Sequence, residues 1–70
     1  MVKGYCIAEV YIHRGQVFVE FQAFLPGPYG HHLVEDIEDP AVIWYDTEEA
    51  ALAKRSSPNA CVVGYWRDVR

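Results

Sequence analysis

Two runs of residues on either side of Arg14-Gly15 constrain the fold of this chain more than any other feature. Every second residue is apolar from Cys6 to Ile12 and again from Val17 to Ala23. A period of two is typical of β-strands, and a two-residue loop at Arg14-Gly15 predicts a β-hairpin. By counting from that loop, the pairs expected on one face are Ile12 with Val17, Val10 with Val19, Ala8 with Phe21, and Cys6 with Ala23.

The opposite face of the predicted hairpin is also largely apolar. It places Tyr11 opposite Phe18, and Glu9 opposite Glu20, a like-charge pair that is expected to be destabilising. A hairpin with two apolar faces must be covered on both, by the rest of the chain or by a partner. The aromatic residues that we expect at an apolar interface, including the predicted Tyr5–Phe24 pair, are Tyr5, Tyr11, Phe18, Phe24 and Trp66.

The rest of the chain predicts shorter elements. Residues 25–32 are rich in proline and glycine and predict a loop. Asp46 as N-cap and Glu49 three residues later form a capping box that predicts a helix of roughly nine residues. The strands expected around that helix are Leu33–Ile37, Ala41–Tyr45 and Ala60–Arg67. The predicted fold class is α+β, with a small antiparallel sheet of four to five strands (β-β-β-β-α-β) and one short helix.

Length and composition bound the class of protein. Seventy residues predict a single α+β domain over residues 1–70, and a chain this short buries only about 60% of its unfolded surface. A hydrophobic content of 51% excludes a disordered chain. The sequence has no apolar run of ~20 residues and no signal-peptide pattern. We therefore expect a cytoplasmic protein in which Cys6 and Cys61 are free, buried thiols.

Charge is strongly segregated along the sequence. No lysine or arginine occurs from Gly15 to Ala53, yet this interval holds eight of the ten carboxylates. Seven of them fall within residues 35–49: Glu35, Asp36, Glu38, Asp39, Asp46, Glu48 and Glu49. They form either a solvated face that keeps an apolar domain soluble or a docking surface for a basic partner. The net charge of −4 disfavours direct contact with nucleic acid.

Catalytic and metal chemistry find little support in the sequence. His13, His31 and His32 are expected to be surface histidines, since adjacent residues of an extended loop point apart and cannot converge on zinc. Cys6 and Cys61 lie at apolar strand positions, where burial raises the pKa of a thiol and makes it inert. We expect no enzymatic activity, no cofactor and no metal.

Two resemblances accompany these patterns. Lys3–Ala8 and Asp46–Leu52 resemble the first strand and the second-helix entry of small dimeric ferredoxin-like α+β barrels, which have a helix where this chain has Arg14-Gly15. In size and acidity the chain is similar to phage-encoded inhibitors of host nucleases and CRISPR effectors, several of which mimic DNA. The second resemblance implies a non-enzymatic module, such as an anti-CRISPR protein, that docks on a basic protein surface without contacting nucleic acid or membrane.

Two alternatives remain open from the sequence. One is a small-molecule-binding domain, or a minor enzyme, with an aromatic sheet pocket near Tyr11, Phe18 and Trp66. The other is a structural homodimer in which the carboxylates serve only solubility.

Overall fold

A computed structural model describes residues 1–24, 31–55 and 57–68. The elements are β1 (Val2–His13), β2 (Gln16–Phe24), β3 (His31–Val34), α1 (Glu48–Ala53) and β4 (Ala60–Arg67). The strands form one antiparallel sheet in the order β3-β2-β1-β4, which confirms the predicted α+β class. His31 and His32, predicted in a loop, instead begin β3, and the remainder of that loop, residues 25–30, lies outside the described residues.

The β1–β2 hairpin closes through the predicted two-residue loop. Arg14 and Gly15 both have positive φ angles, 51° and 77°, as a type I′ turn requires. The register from Ala8 opposite Phe21 to His13 opposite Gln16 is the predicted one. Because the side-chain period of a strand is two, this register places all of the predicted tip pairs on their expected faces.

Toward its open end the hairpin separates, and the predicted pairs of Cys6 with Ala23 and of Tyr5 with Phe24 are wrong. Residues 41–45 run between the two strands there. Tyr45 exchanges two backbone hydrogen bonds with Tyr5, of 2.7 and 3.0 Å, while Val42 bridges Ala23. The predicted strand Ala41–Tyr45 is therefore reduced to two isolated bridges, and the β3 strand ends at Val34 rather than at Ile37.

The sheet has two faces, each with its own part of the core. We call the face that carries Tyr5, Ile7 and Val62 the helix face, because α1 packs there: Ile7, Ala51 and Ala60 are buried together, against Tyr5, Tyr45 and Val62. Successive strand residues point to opposite faces. The second face, which carries Cys6, Ala8 and Tyr65, is called the loop face, because the segment after β3 packs on it.

The loop face is covered by residues 37–44. Cys6, Ala8, Ala23 and Val42 are buried, and the Trp44 ring lies directly on the backbone of Gly4. A Cβ atom added to Gly4 would lie 2.8 Å from Cε3 of Trp44, so the close approach of this ring depends on the glycine. Both faces are thus partly covered by the chain itself, as their composition predicts.

The helix is shorter than expected and begins one residue later. It has six residues, and Thr47, not Asp46, is its N-cap: the Thr47 hydroxyl accepts the Ala50 N–H at 3.1 Å. Thr47 has extended dihedral angles (φ −131°, ψ 155°), which orient its side chain toward the first turn. Among the described residues, no helix is long and apolar enough to cross a membrane.

Candidate functional site

The segment after β3 forms a turn whose backbone is held by its own carboxylates. We call Glu35–Asp39 the acidic turn. Asp36 Oδ1 accepts the Glu38 N–H at 2.9 Å, and Asp39 Oδ1 accepts the Ala41 N–H at 2.8 Å. Aspartate favours such turns because its short side chain reaches the backbone two residues ahead. Asp36 and Asp39 therefore have a structural role that composition alone does not indicate.

A third carboxylate of the acidic turn fixes it to the far edge of the sheet. The Tyr65 hydroxyl, on β4, donates a hydrogen bond of 3.0 Å to Glu38 Oε1. This bond raises the pKa of Tyr65 above its ordinary value, because the neighbouring carboxylate favours the protonated phenol, and the negative charges of Glu38 and Asp36 add to the effect. Glu35, Asp36 and Glu38 remain exposed and Asp39 is half-buried, so the turn is both held in place and accessible.

A cleft of about 360 Å³ lies beside the acidic turn on the loop face. Its lining residues are Met1, Ile37, Glu38, Asp39, Pro40, Trp44, Tyr65, Trp66, Arg67 and Asp68. The rings of Trp44 and Tyr65 stack with centroids 6.0 Å apart, and the Arg67 guanidinium lies 4.3 Å from the Trp44 centroid. The cleft thus combines aromatic walls, three carboxylates and one guanidinium.

The other predicted carboxylates lie elsewhere. Asp46, Glu48 and Glu49 are exposed at the start of α1, which packs on the helix face, whereas the contact between Glu38 and Tyr65 places Glu38 on the loop face. Glu38 and Asp39, which line the cleft, are therefore on the other side of the sheet from the start of α1, whereas Glu35 lies near Tyr11 at the hairpin tip, whose pKa its charge helps to raise.

The five aromatic residues predicted at an apolar interface share the helix face by register but do not form one platform. Tyr11 and Phe18 stack near the hairpin tip, with centroids 5.4 Å apart. At the other end, the Lys3 amine lies 5.8 Å from the Tyr5 ring and 6.0 Å from the Trp66 ring. Between these groups α1 covers Ile7, and the remaining member, Phe24, is 55% exposed next to β3.

The cleft is therefore not where the sequence places an aromatic pocket. Only Trp66 of the three residues proposed for that pocket lines it, and Tyr11 and Phe18 lie at the hairpin tip. Trp44 and Tyr65, which no sequence pattern singles out, provide its aromatic walls. Their apolar runs identify both as core candidates, but nothing local indicates that they meet.

Tyr11 also moderates the predicted clash between Glu9 and Glu20, which the register does place opposite each other. Its hydroxyl donates to Glu20 Oε1, and that bond raises the pKa of Tyr11, with smaller contributions from desolvation and from the charges of Glu20 and Glu35. A phenol donor beside one carboxylate helps the pair to persist at neutral pH.

The two cysteines differ in exposure. Both are free; Cys6 is buried, as predicted, but Cys61 is exposed, contrary to the prediction, because β4 is an edge strand. Burial raises the pKa of Cys6 to about 11, and Cys61 contributes a smaller increase, so the Cys6 thiol stays protonated at neutral pH. Within the described ranges, no group of three or more His, Cys, Asp or Glu residues is arranged to hold a metal ion.

An apolar patch remains uncovered on the loop face near the hairpin tip. Val10, Ile12, Val17 and Val19 are 41%, 73%, 67% and 44% exposed. Contiguous exposed apolar side chains of this kind are common at interaction sites. The homodimer that the sequence leaves open stays a prediction, and sedimentation of the purified chain measures it.

Comparison with known proteins adds no constraint. No protein-family model, no curated protein and no solved structure matches the chain.

Proposed function

We propose that this chain is a small, non-enzymatic interaction module that docks on the basic surface of a partner protein through its acidic turn. The observation that carries the proposal is the preorganisation of that turn. Asp36 and Asp39 hold its backbone, and Tyr65 holds Glu38. Carboxylates that are already ordered lose little conformational entropy on binding, so more of their electrostatic attraction contributes to affinity.

The two carboxylate groups have different roles in this proposal. The acidic turn makes the direct contacts, because three of its four carboxylates are exposed and its backbone is held in place. Asp46, Glu48 and Glu49, at the start of α1, act at longer range. Beyond about a Debye length, ~8 Å at physiological salt, their field is largely screened, so they add only a small, salt-dependent steering to the association rate.

The most specific form of the proposal is a DNA-mimic inhibitor, of the anti-CRISPR type, that occludes a nucleic-acid-binding surface. Duplex DNA carries about one charge per 1.7 Å of axis, so four carboxylates match roughly 7 Å, or about two base pairs. This form predicts that the chain displaces a short duplex from its partner. A partner that binds the chain and the duplex at the same time would contradict it.

The experiment is an affinity capture from a host lysate at low and high salt, followed by binding measurements on the purified partner. The turn variant Glu35→Gln, Asp36→Asn, Glu38→Gln removes three charges but keeps the side-chain acceptors that hold the turn. The matched control, Asp46→Asn, Glu48→Gln, Glu49→Gln, removes three charges from the start of α1. At ~0.2–1 kcal/mol per exposed charge pair, the turn variant should bind roughly tenfold more weakly.

The control variant should lose at most about threefold in affinity, mainly through a slower association rate. Equal losses in both variants would show that net charge, and not the acidic turn, determines binding. Unchanged affinity in the turn variant would reject the proposed docking surface.

A further inference from the structure

We propose that a second copy of this chain pairs with the outer edge of β4, so that the two sheets join into one continuous antiparallel sheet. The starting observation is that this edge is unprotected. β4 lies at one end of the strand order β3-β2-β1-β4, and from Ala60 to Trp66 it contains no proline and no charged residue. An edge strand without such residues is a template on which another strand can pair.

The hydrogen bonds of β1 show which backbone groups of β4 face that edge. Tyr5 exchanges both of its backbone hydrogen bonds with Tyr45, on the side of β1 away from β4. Residues of an antiparallel strand bond alternately to one neighbour and to the other. The even-numbered residues of β1 therefore bond toward β4, as the Val10 N–H does to the Asn59 carbonyl at 3.4 Å.

The partners of those residues in β4 are odd-numbered, so the even-numbered residues direct their backbone N–H and C=O groups outward. Within the described part of the chain, no backbone partner binds these groups in Val62, Gly64 or Trp66. Ala60 differs, because its N–H already donates to the Ser57 carbonyl at 3.0 Å. The unpaired part of the edge is therefore centred on Gly64.

An antiparallel second copy satisfies all of these groups in one register. Pairing Gly64 with the same residue of the copy places Val62 opposite Trp66 of the copy, and each such pair exchanges two backbone hydrogen bonds. A shift by two residues would bring in Ala60, whose N–H is already used, or Asp68, which lies beyond β4. The same strand meets itself in this arrangement, so the contact closes around a two-fold axis.

The side chains match in the same register. On the helix face, Trp66, which is 60% exposed, would lie opposite the half-buried Val62 of the copy. On the loop face, Tyr65 would lie opposite Val63 of the copy. Aromatic and β-branched residues form stabilising cross-strand pairs. Because favourable pairs occur on both faces, the edge fits a second copy of itself better than a strand of unrelated sequence.

The rest of the sheet limits this association to a dimer. The opposite edge strand, β3, has only four residues and begins with two histidines, and short edge strands resist pairing. The two-fold axis is perpendicular to the joined sheet, so both loop faces, each with its Glu38, lie on the same side. The dimer would therefore present two docking surfaces to one partner, which increases avidity.

The test begins with sedimentation equilibrium of the whole chain. We expect a monomer–dimer equilibrium with a dissociation constant in the micromolar range, because two paired edge strands form an interface near the lower end of the usual size. Each copy has a net charge of −4, so added salt should strengthen the dimer. Docking on a basic partner has the opposite salt dependence, so the two associations can be told apart.

Amide hydrogen exchange, followed by NMR, identifies the interface without any substitution. At concentrations below the dissociation constant, the amides of Val63 and Tyr65 should be protected and those of Val62, Gly64 and Trp66 should exchange rapidly. Above it, all five should be protected. Rapid exchange of the outward amides in a dimer would overturn the inference.

Two variants place the same positive charge at different exposed apolar positions. Trp66→Lys, on the β4 edge, should raise the dissociation constant of the dimer at least about thirtyfold, as expected for loss of a central tryptophan contact. Ile12→Lys, in the apolar patch at the hairpin tip, replaces a side chain that is 73% exposed and should change the constant by less than about twofold.

A chain that stays monomeric at all concentrations would overturn the inference, and so would a dimer that Ile12→Lys dissociates and Trp66→Lys does not. The second result would place the interface on the apolar patch instead. Neither result bears on the proposed function, which depends on the charges of the acidic turn and is measured by capture of a basic partner.

Discussion

Replacing Gly4 by alanine tests the packing on which the cleft depends. A Cβ atom at this position would lie 2.8 Å from Cε3 of Trp44 and 2.9 Å from Cδ of Arg67. The Trp44 ring is held between Tyr65 and Arg67, so it cannot move aside without disturbing the cleft. Overpacking of this kind costs typically ~1–3 kcal/mol, partly offset by the ~0.5–1 kcal/mol gained when a strand glycine becomes alanine.

Gly64→Ala is the matched control, because it places the same methyl group on the neighbouring edge strand. There the close atom is Cε of Lys3, at 2.7 Å, which is the far end of a flexible side chain and can move into solvent. We expect this variant to stay within about 1 kcal/mol of the parent chain. Gly4→Ala should be less stable than Gly64→Ala by about 1–3 kcal/mol.

The assay is equilibrium urea unfolding of both variants, followed by tryptophan fluorescence. For a domain of this size each kcal/mol corresponds to a shift of ~4–8 °C in Tm, so thermal unfolding provides a second reading. If Gly4→Ala is as stable as Gly64→Ala, and the tryptophan emission of its folded state is that of the parent, the ring of Trp44 does not lie on Gly4. The packing of Trp44 on Gly4 that shapes the cleft would then be refuted.

Three further predictions concern local features. Thr47→Ala should destabilise the chain by about 0.5–2 kcal/mol in urea unfolding, whereas Thr47→Ser should cost little, because the hydroxyl caps the Ala50 N–H; equal costs would contradict the cap. Arg14→Asn should raise the midpoint of urea unfolding, because asparagine tolerates the positive φ of 51° better than arginine does, and a lower midpoint would argue against this turn. With a thiol reagent at pH 8, Cys61 should react rapidly and Cys6, with its pKa of about 11, only after unfolding; simultaneous reaction in the native chain would contradict the burial of Cys6.

The tip half of the hairpin could be predicted from the sequence because its information is local. The alternating pattern and the two-residue loop at Arg14-Gly15 together set a register that leaves one choice of face for every side chain. The final strand, Ala60–Arg67, was predictable for the same reason, since an apolar run bounded by Pro58 and Asn59 defines it without reference to the rest of the chain.

The open half of the hairpin could not be predicted in this way. The alternation of apolar residues continues through Cys6 and Ala23, so counting from the loop predicts that β1 and β2 stay paired there. Nothing in the local sequence indicates that residues 41–45 lie between the two strands instead. The competing pairs, Tyr5 with Tyr45 and Ala23 with Val42, use backbone groups whose hydrogen bonds are nearly independent of the side chain. Their choice depends on long-range packing, chiefly of Trp44 on Gly4.

The candidate site was predicted only in part. The run of carboxylates within residues 35–49 identifies Glu35–Asp39 as a candidate. The separate position of Asp46, Glu48 and Glu49 could not be predicted, because it depends on the face of the sheet that α1 covers. Glu38 meets Tyr65 across 27 positions of sequence, and a contact at that separation has no periodic signature. The cleft could therefore be found only in the structure, whereas the charge pattern beside it is visible in the sequence.

The most direct test of the docking account is the salt dependence of binding to the captured partner. Dissociation constants of the parent chain, the turn variant and its matched control variant would be measured at salt concentrations from about 50 to about 300 mM NaCl. For the parent chain we expect affinity to fall steeply as salt is added. The variant lacking the charges of Glu35, Asp36 and Glu38 should show a clearly shallower loss of affinity. The variant lacking the charges of Asp46, Glu48 and Glu49 should show a loss of affinity close to that of the parent chain. A turn variant that keeps the slope of the parent chain would contradict the docking account.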